Sequence, residues 1–471
     1  MLGAVVASCS PRSANAQLNS TIRGSDVLCC LLTFIKDCAL REFAKGKPHV
    51  WYSCTKDIDA IQLSRFSQRL TVHLSESARS FGSIGTWEAA LRSIPQLDMP
   101  GRKLVILDEF PYAVARNKAL PSILQNVWDE LLCHEDVMIV LSGSQMGFME
   151  DELLGEDNPL YGRATGIWKM EPLSYRDAAK FFPDYSPQQK LEAYGILGGV
   201  PYYLEQFDPD EDIRTNVCEN ILARGCPLYT EVSFLLREEL QEPSTYNAVL
   251  GAVAAGETQL GKIAQKGMLD TSSASTYLRR LESLRIRERE FSVQVGQQER
   301  TKKGRGLWRV TDNYVRFWYA AVAPYVSELD QGDVDGVWDH VVAPNLNDLL
   351  SQPFEAVCRQ WVSRRNIEGS LPFRYRTMGR WWQDSDEIDV VALGNNSDHL
   401  LGECKFWSTP VGASVLSDLE KKERRFFPEG TGYLYLFSKS GFANDGALAS
   451  GDTSASAAGR VRLVTAEELE A

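Results

Sequence analysis

Two short runs of apolar residues constrain this chain more than any other feature. Leu104–Leu107 reads LVIL and is followed at once by Asp108 and Glu109. Val137–Leu141 reads VMIVL and is followed by Ser142, Gly143 and Ser144. A run with no polar member cannot keep one face in water, because successive side chains point to opposite faces of a strand. Interleaved with helical patterns, such runs predict a parallel sheet with helices on both faces. Val50–Ser53, VWYS, adds a short strand, and 63–91 holds two helical stretches broken near Gly82. Upstream, Ala39, Leu40, Phe43 and Ala44 share a helical face, closed by Gly46 and Pro48.

The chain has 471 residues, too many for one ordinary core, so about three domains are expected. Its formal net charge of -13 argues against wrapping long nucleic acid. Local basic patches remain at Arg279–Arg289 and Lys302–Arg309. The ten cysteines form no CxxC pair and histidines number five, which argues against structural zinc and suits a reducing cytoplasm. The apolar run Val27–Phe34, with Cys29 and Cys30, is too short to span a bilayer and lacks signal-peptide flanks. It is expected as a buried strand or helix start, with no membrane partner. Residues 1 to about 22 are polar and expected to be poorly ordered.

In an open parallel sheet the carboxyl ends of the strands line the ligand crevice. Asp108 there can hold magnesium, directly or through water, and Glu109 can polarise an attacking water. The plainer alternative is an acid that merely caps the next helix.

KLVILDEFPYA, 103–113, resembles the Walker B segment of the archaeal-type P-loop ATPases related to AAA+ proteins. Val137–Leu141 with the following SGS resembles the family's sensor segment. NPLYGRATGIWKMEPLSYRDAAKFF, 158–182, matches a segment with a well-placed arginine, here Arg163. YGILGGVPYYL, 194–204, matches the glycine-proline turn after the ATPase lid. The stretches 226–264 and WRVTDNYVRFWYAAVAPY, 308–325, match the linker and the winged-helix boundaries. The resemblance covers roughly 38–445. It implies ATP and Mg²⁺ as cofactors, with Asp108, Glu109 and Arg163 as catalytic residues and Ser144 near nucleotide. It also implies a tendency to assemble, with Arg163 reaching into a neighbour's site.

The phosphate-binding loop of that family is missing. Such a loop needs G-x-x-x-x-G-K-[ST], whose glycines let backbone N–H groups curl around phosphate. No Gly-Lys-Ser or Gly-Lys-Thr occurs in the chain. Lys36 falls where the loop lysine would stand, but Ile35 replaces the glycine and Asp37 the hydroxyl residue. The stretch before residue 38 also lacks the family's opening strand and arginine-rich loop. Two origins fit: a damaged gene or misassigned start, and a protein that lost hydrolysis but kept its scaffold. The abruptness of the break favours the first.

Thr258–Ala264, Ser272–Leu284 and the charged segment after them predict helix, turn, helix and wing. Ser272, Ser273 and Ser275 stand near the start of the second helix, with Tyr277 and Arg280 along it. Such a helix can enter a DNA groove or dock a protein partner. Beyond it, Phe354–Trp361 reads as helix, and 373–377, 387–393, 399–404, 433–437 and 461–464 read as strands. Asp389 lies in EIDVVAL, and Glu403 and Lys405 lie in LLGECKF. A hairpin between them brings two carboxylates and a lysine together, with Asp389, Val391 and Leu393 on one side. The arrangement resembles the PD-(D/E)xK nucleases: Asp389, Glu403 and Lys405, with Glu355 as the accessory acid. That resemblance implies a divalent metal on Asp389 and Glu403, as the ATPase resemblance implies one on Asp108. The alternative is a decayed fold serving as scaffold.

The expected architecture is α/β. Residues 1–37 form a disordered or aberrant segment and 38–205 a truncated P-loop ATPase parallel sheet with the start of a helical lid. The lid remainder, linker and winged helix span 206–325, and a restriction-endonuclease-like α/β domain spans 326–471. The expected function is that of an ATPase-family protein impaired in ATP binding, with a metal-dependent nuclease or DNA-binding role. The alternative is a non-catalytic scaffold or regulatory interaction protein.

Overall fold

The computed structural model describes residues 26–31, 40–76, 84–143, 158–169, 171–239, 243–283, 286–300, 306–443 and 459–470. The chain divides into two compact units, Met1–Pro172 and Leu173–Ala471.

The first unit is built on strands β1 (Asp26–Leu31), β2 (His49–Ser53), β3 (Lys103–Asp108), β4 (Val137–Gly143) and β5 (Gly166–Lys169). Their order is β2-β3-β4-β1-β5, and every pairing is parallel. Helices α1 (Asp59–His73), α2 (Trp87–Arg92), α3 (Phe110–Arg116) and α4 (Leu120–Glu130) connect them. Val105, Leu107, Val137, Ile139 and Leu141 pack with Phe66, Trp87, Leu124 and Val127 on one face. Leu104, Ile106, Met138 and Val140 pack with Leu40, Phe43 and Ala44 on the other. Both faces are covered, which is why the two runs hold no polar residue.

The expectation of a truncated sheet without its opening strand is corrected here. β1 pairs with β4 from Asp26↔Met138 to Leu31↔Gly143, and with β5 from Leu28↔Gly166 to Leu31↔Lys169. Without it, β4 and β5 would each present a row of unsatisfied backbone N–H and C=O groups inside the unit. The apolar run beginning near Val27 supplies a strand long enough to fill that place. The polar residues expected to be poorly ordered at the start of the chain lie outside the described residues, as does Gly82.

Early in the second unit, after a short helical turn at Tyr175–Ala178, comes α5 (Pro187–Leu197), which starts in a capping box between Ser186 and Gln189. After α6 (Pro227–Glu239) come α7 (Pro243–Ala254), α8 (Leu260–Lys266), α9 (Thr271–Ser283) and an antiparallel pair, β6 (Arg287–Glu290) with β7 (Leu307–Val310). α10 (Asn313–Ala321) and the long α11 (Ala343–Glu368) lead into a second sheet. Its strands are β8 (Thr377–Gln383), β9 (Asp386–Leu393), β10 (His399–Lys405), β11 (Gly432–Ser438) and β12 (Val461–Thr465), in the order β12-β11-β10-β9-β8.

β8, β9 and β10 are antiparallel neighbours, whereas β10, β11 and β12 are parallel. Parallel neighbours need a crossover, and α12 (Ala413–Phe426) supplies it between β10 and β11. α11 lays Phe354, Val357, Cys358 and Trp361 in one cluster with Val390, Ala392, Leu400 and Phe437. α12 lays Leu416 and Leu419 in another with Trp381, Ile388, Val391 and Leu401. The strand expected over 373–377 is displaced to Thr377–Gln383. Its position is set by a two-residue link to β9, in which Asp384 takes φ 54°, a conformation Asp tolerates better than most residues.

Candidate functional sites

In the first unit β3 ends on Asp108, whose side chain is buried. Ser142 at the end of β4 donates to its Oδ1 at 2.7 Å, and Ser53 at the end of β2 donates to its Oδ2 at 3.2 Å. The carboxylate is thereby held between the ends of three neighbouring strands. Ser53 was not singled out from the sequence, although it closes the VWYS run as Asp108 closes LVIL. Glu109 occupies the N-cap of α3 in the left-handed region, φ 51° and ψ 41°, and its side chain makes no capping hydrogen bond. A non-glycine residue there costs on the order of 1 kcal/mol, so the turn holds Glu109 against its local preference. Helix capping, the plainer reading of these acids, therefore does not describe Glu109.

Arg163 forks onto Asp129 of α4, with Nε 2.9 Å from Oδ1 and Nη2 2.8 Å from Oδ2. Its Nη1 donates to the carbonyls of Pro159 and Tyr161. In this structure its donors are committed within its own chain. Lys36 and Ser144 lie outside the described residues.

At the start of α9 the exposed N–H groups of Ser272 and Ser273 donate to Asp270 Oδ1 at 3.0 and 2.9 Å. Both hydroxyls also donate to that carboxylate, and these bonds hold its pKa well below the usual range. The helix start expected to meet phosphate is thus already occupied by an anion of the chain itself.

The densest charge lies in the second sheet. β9 and β10 pair up to Gly402↔Val390. β8 and β9 pair as Gly379↔Val391 and then Trp381↔Ile388, so Asp389 and Val390 together stand opposite Arg380 alone. This is a β-bulge, and bulges re-aim side chains. Simple alternation placed Asp389 on the side of Val391 and Leu393. Instead Asp389 Oδ2 accepts from the Cys404 N–H at 2.8 Å, and its carbonyl accepts from Arg359 of α11 at 3.0 Å.

Glu355 of α11 lies 3.6 Å from Arg359 and 3.2 Å from Arg380 Nε. Arg380, 5% exposed, also pairs with Glu290 and Glu387 at 3.6 and 3.1 Å. Glu403 is held by Lys405 at 2.7 Å and by Lys422 of α12 at 3.3 Å. Burial pushes Asp389 up to about 6, with the Glu403 charge adding to it. Burial and then the Asp389 charge raise Glu355 well above the carboxylate range. Burial works to lower the Lys405 pKa, but Glu403 and Asp389 outweigh it and the net shift is upward. Glu355, Asp389 and Glu403 thus form a run of mutually repelling acids, stitched by Arg359, Arg380, Lys405 and Lys422.

Carboxylate oxygens suit a hard divalent cation, and magnesium takes one or two carboxylates while keeping waters. Asp389 and Glu403 meet that requirement in kind, and Glu403 is near enough to help raise Asp389. Among the described residues no three His, Cys, Asp or Glu side chains converge as a metal site. Arg359, Arg380 and Lys422 were missed from the sequence. Only Lys422 carried a signal, as part of the basic run Lys421-Lys422-Glu423-Arg424-Arg425.

Residues 33–207 match the model of an ATPase domain found predominantly in Archaea. Residues 318–424 match a family of archaeal and bacterial proteins of unknown function. An uncharacterized protein of Methanocaldococcus jannaschii, MJECL04, is 28% identical over 358 residues, covering 76% of each chain. Among solved structures, the Walker-type ATPase PABY2304 of Pyrococcus abyssi is similar at 18% identity and a TM-score of 0.47, covering 66% of this chain and 94% of its own. The ORC2 protein of Aeropyrum pernix is similar at 12% identity and a TM-score of 0.37, covering 69% and 93%. No helix among the described residues is long and apolar enough to cross a membrane. By the match over 33–207, the chain is related to the archaeal-type P-loop ATPases.

Proposed function

We propose that this protein binds ATP weakly and that its chemistry resides in the Leu173–Ala471 unit, as a divalent-cation-dependent phosphodiesterase acting on nucleic acid. The observation that carries the reading is the run Glu355–Asp389–Glu403 with Lys405 against Glu403. Raised acids beside a half-buried lysine suit metal-assisted phosphodiester cleavage. A bound Mg²⁺ or Mn²⁺ would screen two carboxylates from a phosphodiester. Asp389 and Glu403 would hold the cation. Lys405 would position the attacking water and steady the phosphate. Glu355 would assist, holding its proton to higher pH than an exposed acid.

Weak ATP binding rests on the absence of Gly-Lys-Ser and Gly-Lys-Thr from the chain. Asp108 and Glu109 stand as the family's strand-end acids without the loop they serve. We read α7, α8, α9 and the β6–β7 hairpin as a winged helix. Asp270 at the start of α9 favours a protein-docking role over a DNA-reading one. A non-catalytic scaffold is the second reading, favoured by the two lysines already on Glu403.

Calorimetric titration of Mn²⁺ into the wild type and the Asp389→Asn/Glu403→Gln double variant tests the metal site. The wild type should bind and the double variant should not. Equal, negligible binding by both would move the unit to the scaffold reading. Lys405→Ala should keep the metal and lose cleavage rate, and Lys405→Arg should rescue poorly, since a planar fork does not replace a compact ammonium.

A further inference from the structure

Beside Glu403 and Lys405 runs a groove of about 580 Å³ between the end of β10 and α12. Its lining includes Lys405, Trp407, Lys421, Lys422, Arg425 and Phe426. In a chain of net charge -13, this groove carries four cations against three acids, Asp386, Glu403 and Asp418, so its balance is slightly positive. The basic run on α12 is split by the helical period. Lys421, Lys422 and Arg425 face the groove, Arg424 pairs with Glu420, and Glu423 pairs with Arg460. The cations at the rim hold exchangeable partners. Lys421 lies 2.8 Å from Asp418, with both side chains about two-thirds exposed, and Arg425 lies 3.1 Å from Asp386. Exposed pairs of this kind are worth little and can be traded for phosphate.

Trp407 is 44% exposed at the groove, whereas Trp361 and Trp381 are among the largest fully buried side chains. Lys405 Nζ lies 5.4 Å from the centre of its ring. An exposed indole beside a track of cations matches the two needs of an unpaired strand: a surface for a base to stack on and charges along the backbone. A duplex keeps its bases stacked on one another and leaves such a ring unused.

We infer that this groove binds single-stranded nucleic acid, with one base stacked on Trp407 and the adjoining phosphates on Lys421 and Arg425. The strand then runs toward Lys405 and Glu403. The inference rests on the phosphodiesterase reading and names the substrate class of that site.

Fluorescence anisotropy with labelled oligo-dT and oligo-rU of twelve nucleotides, in EDTA so that nothing is cleaved, measures binding by the full chain. Trp407→Ala should weaken binding about tenfold, within the range set by one lost base stack, and Trp407→Phe should recover most of it. Lys421→Ala/Arg425→Ala should reduce the salt slope by about 1.4, two phosphate contacts on a single strand. A preference for dT or for rU assigns the sugar, and either supports the groove. Unchanged affinity in both the tryptophan and the double variant overturns the inference, as does tighter binding of a duplex of equal length. Asp389→Asn/Glu403→Gln should keep or tighten strand affinity, since it removes carboxylate charge at the end of the groove and frees Lys405 and Lys422. If it does, and neither it nor the wild type binds Mn²⁺, the phosphodiesterase reading falls while the groove stands.

Discussion

At the scale of single residues, the second unit stores electrostatic cost where chemistry is proposed. Asp389 titrates near 6 because burial and Glu403 penalise its charged form. A raised carboxyl pKa means that the folded state holds its proton longer than the unfolded chain does. Stability is therefore highest below the ordinary aspartate value and is lost as pH rises toward 6. Asp389→Asn removes that penalty while its amide oxygen can still accept from Cys404. At pH 7.5 it should stabilise the unit by about 1–3 kcal/mol, and at pH 3.5 by almost nothing. Urea denaturation at the two pH values checks this, and a pH-independent difference would contradict it. Arg287 poses a second case. It is 1% exposed and lies 3.6 Å over the ring of Trp308, and its guanidinium nitrogens find no hydrogen-bond acceptor among the described residues. Burial lowers its pKa to about 9. Arg287→Met keeps the length and drops the charge, so thermal unfolding should occur at the same temperature or higher. A large drop would show that the cation stabilises the fold through the indole ring.

At the scale of elements, one glycine ties a turn to its neighbour. A Cβ on Gly199 would stand 2.0 Å from the carbonyl oxygen of Leu173 and 2.6 Å from its nitrogen. Leu173 N–H donates to the Gly199 carbonyl at 2.7 Å. Backbone cannot yield as a side chain can, so Gly199→Ala must break that bond or move α5 away from the turn. The expected loss is about 3 kcal/mol, read as a lower denaturation midpoint. Gly261→Ala is the control, since a Cβ there meets nothing within 4 Å. The bulge in β9 belongs to the same scale. Two residues against one turn Asp389 toward Cys404, while α11 brings Arg359 to the carbonyl of the bulge.

At the scale of the molecule, the first unit has a parallel sheet with a serine-held acid at the end of β3, while the chain holds no Gly-Lys-Ser or Gly-Lys-Thr. Isothermal titration should therefore give ATP a dissociation constant no better than roughly millimolar, about 4 kcal/mol of binding. Tight, magnesium-dependent binding would require a phosphate nest of another kind. The second unit joins the helices from α5 to α11 and one face of its sheet through a continuous apolar cluster. A variant that loosens this cluster should disturb the carboxylate run and the helix–hairpin region together.

Much of this was legible in the sequence because burial leaves a local trace. The unbroken runs at Leu104 and Val137 announced strands covered on both faces, and the spacing of EIDVVAL and LLGECKF announced an antiparallel pair. The candidate acids came from the same strands: Asp108 closes β3, Glu403 stands near the end of β10, and Asp389 lies in the middle of β9. Tertiary structure alone decided three things. It drew Asp26–Leu31 into the middle of the first sheet, although nothing in that segment marks its distant partners Met138–Gly143. It placed the bulge at Asp389 and Val390 opposite Arg380, which overturned the face assigned by alternation. It set Lys422, from another element, on Glu403. A hydrophobic period reports only whether a residue faces a core. Register, bulges and charge partners depend on what the neighbouring element presents, and that is fixed only when the elements pack.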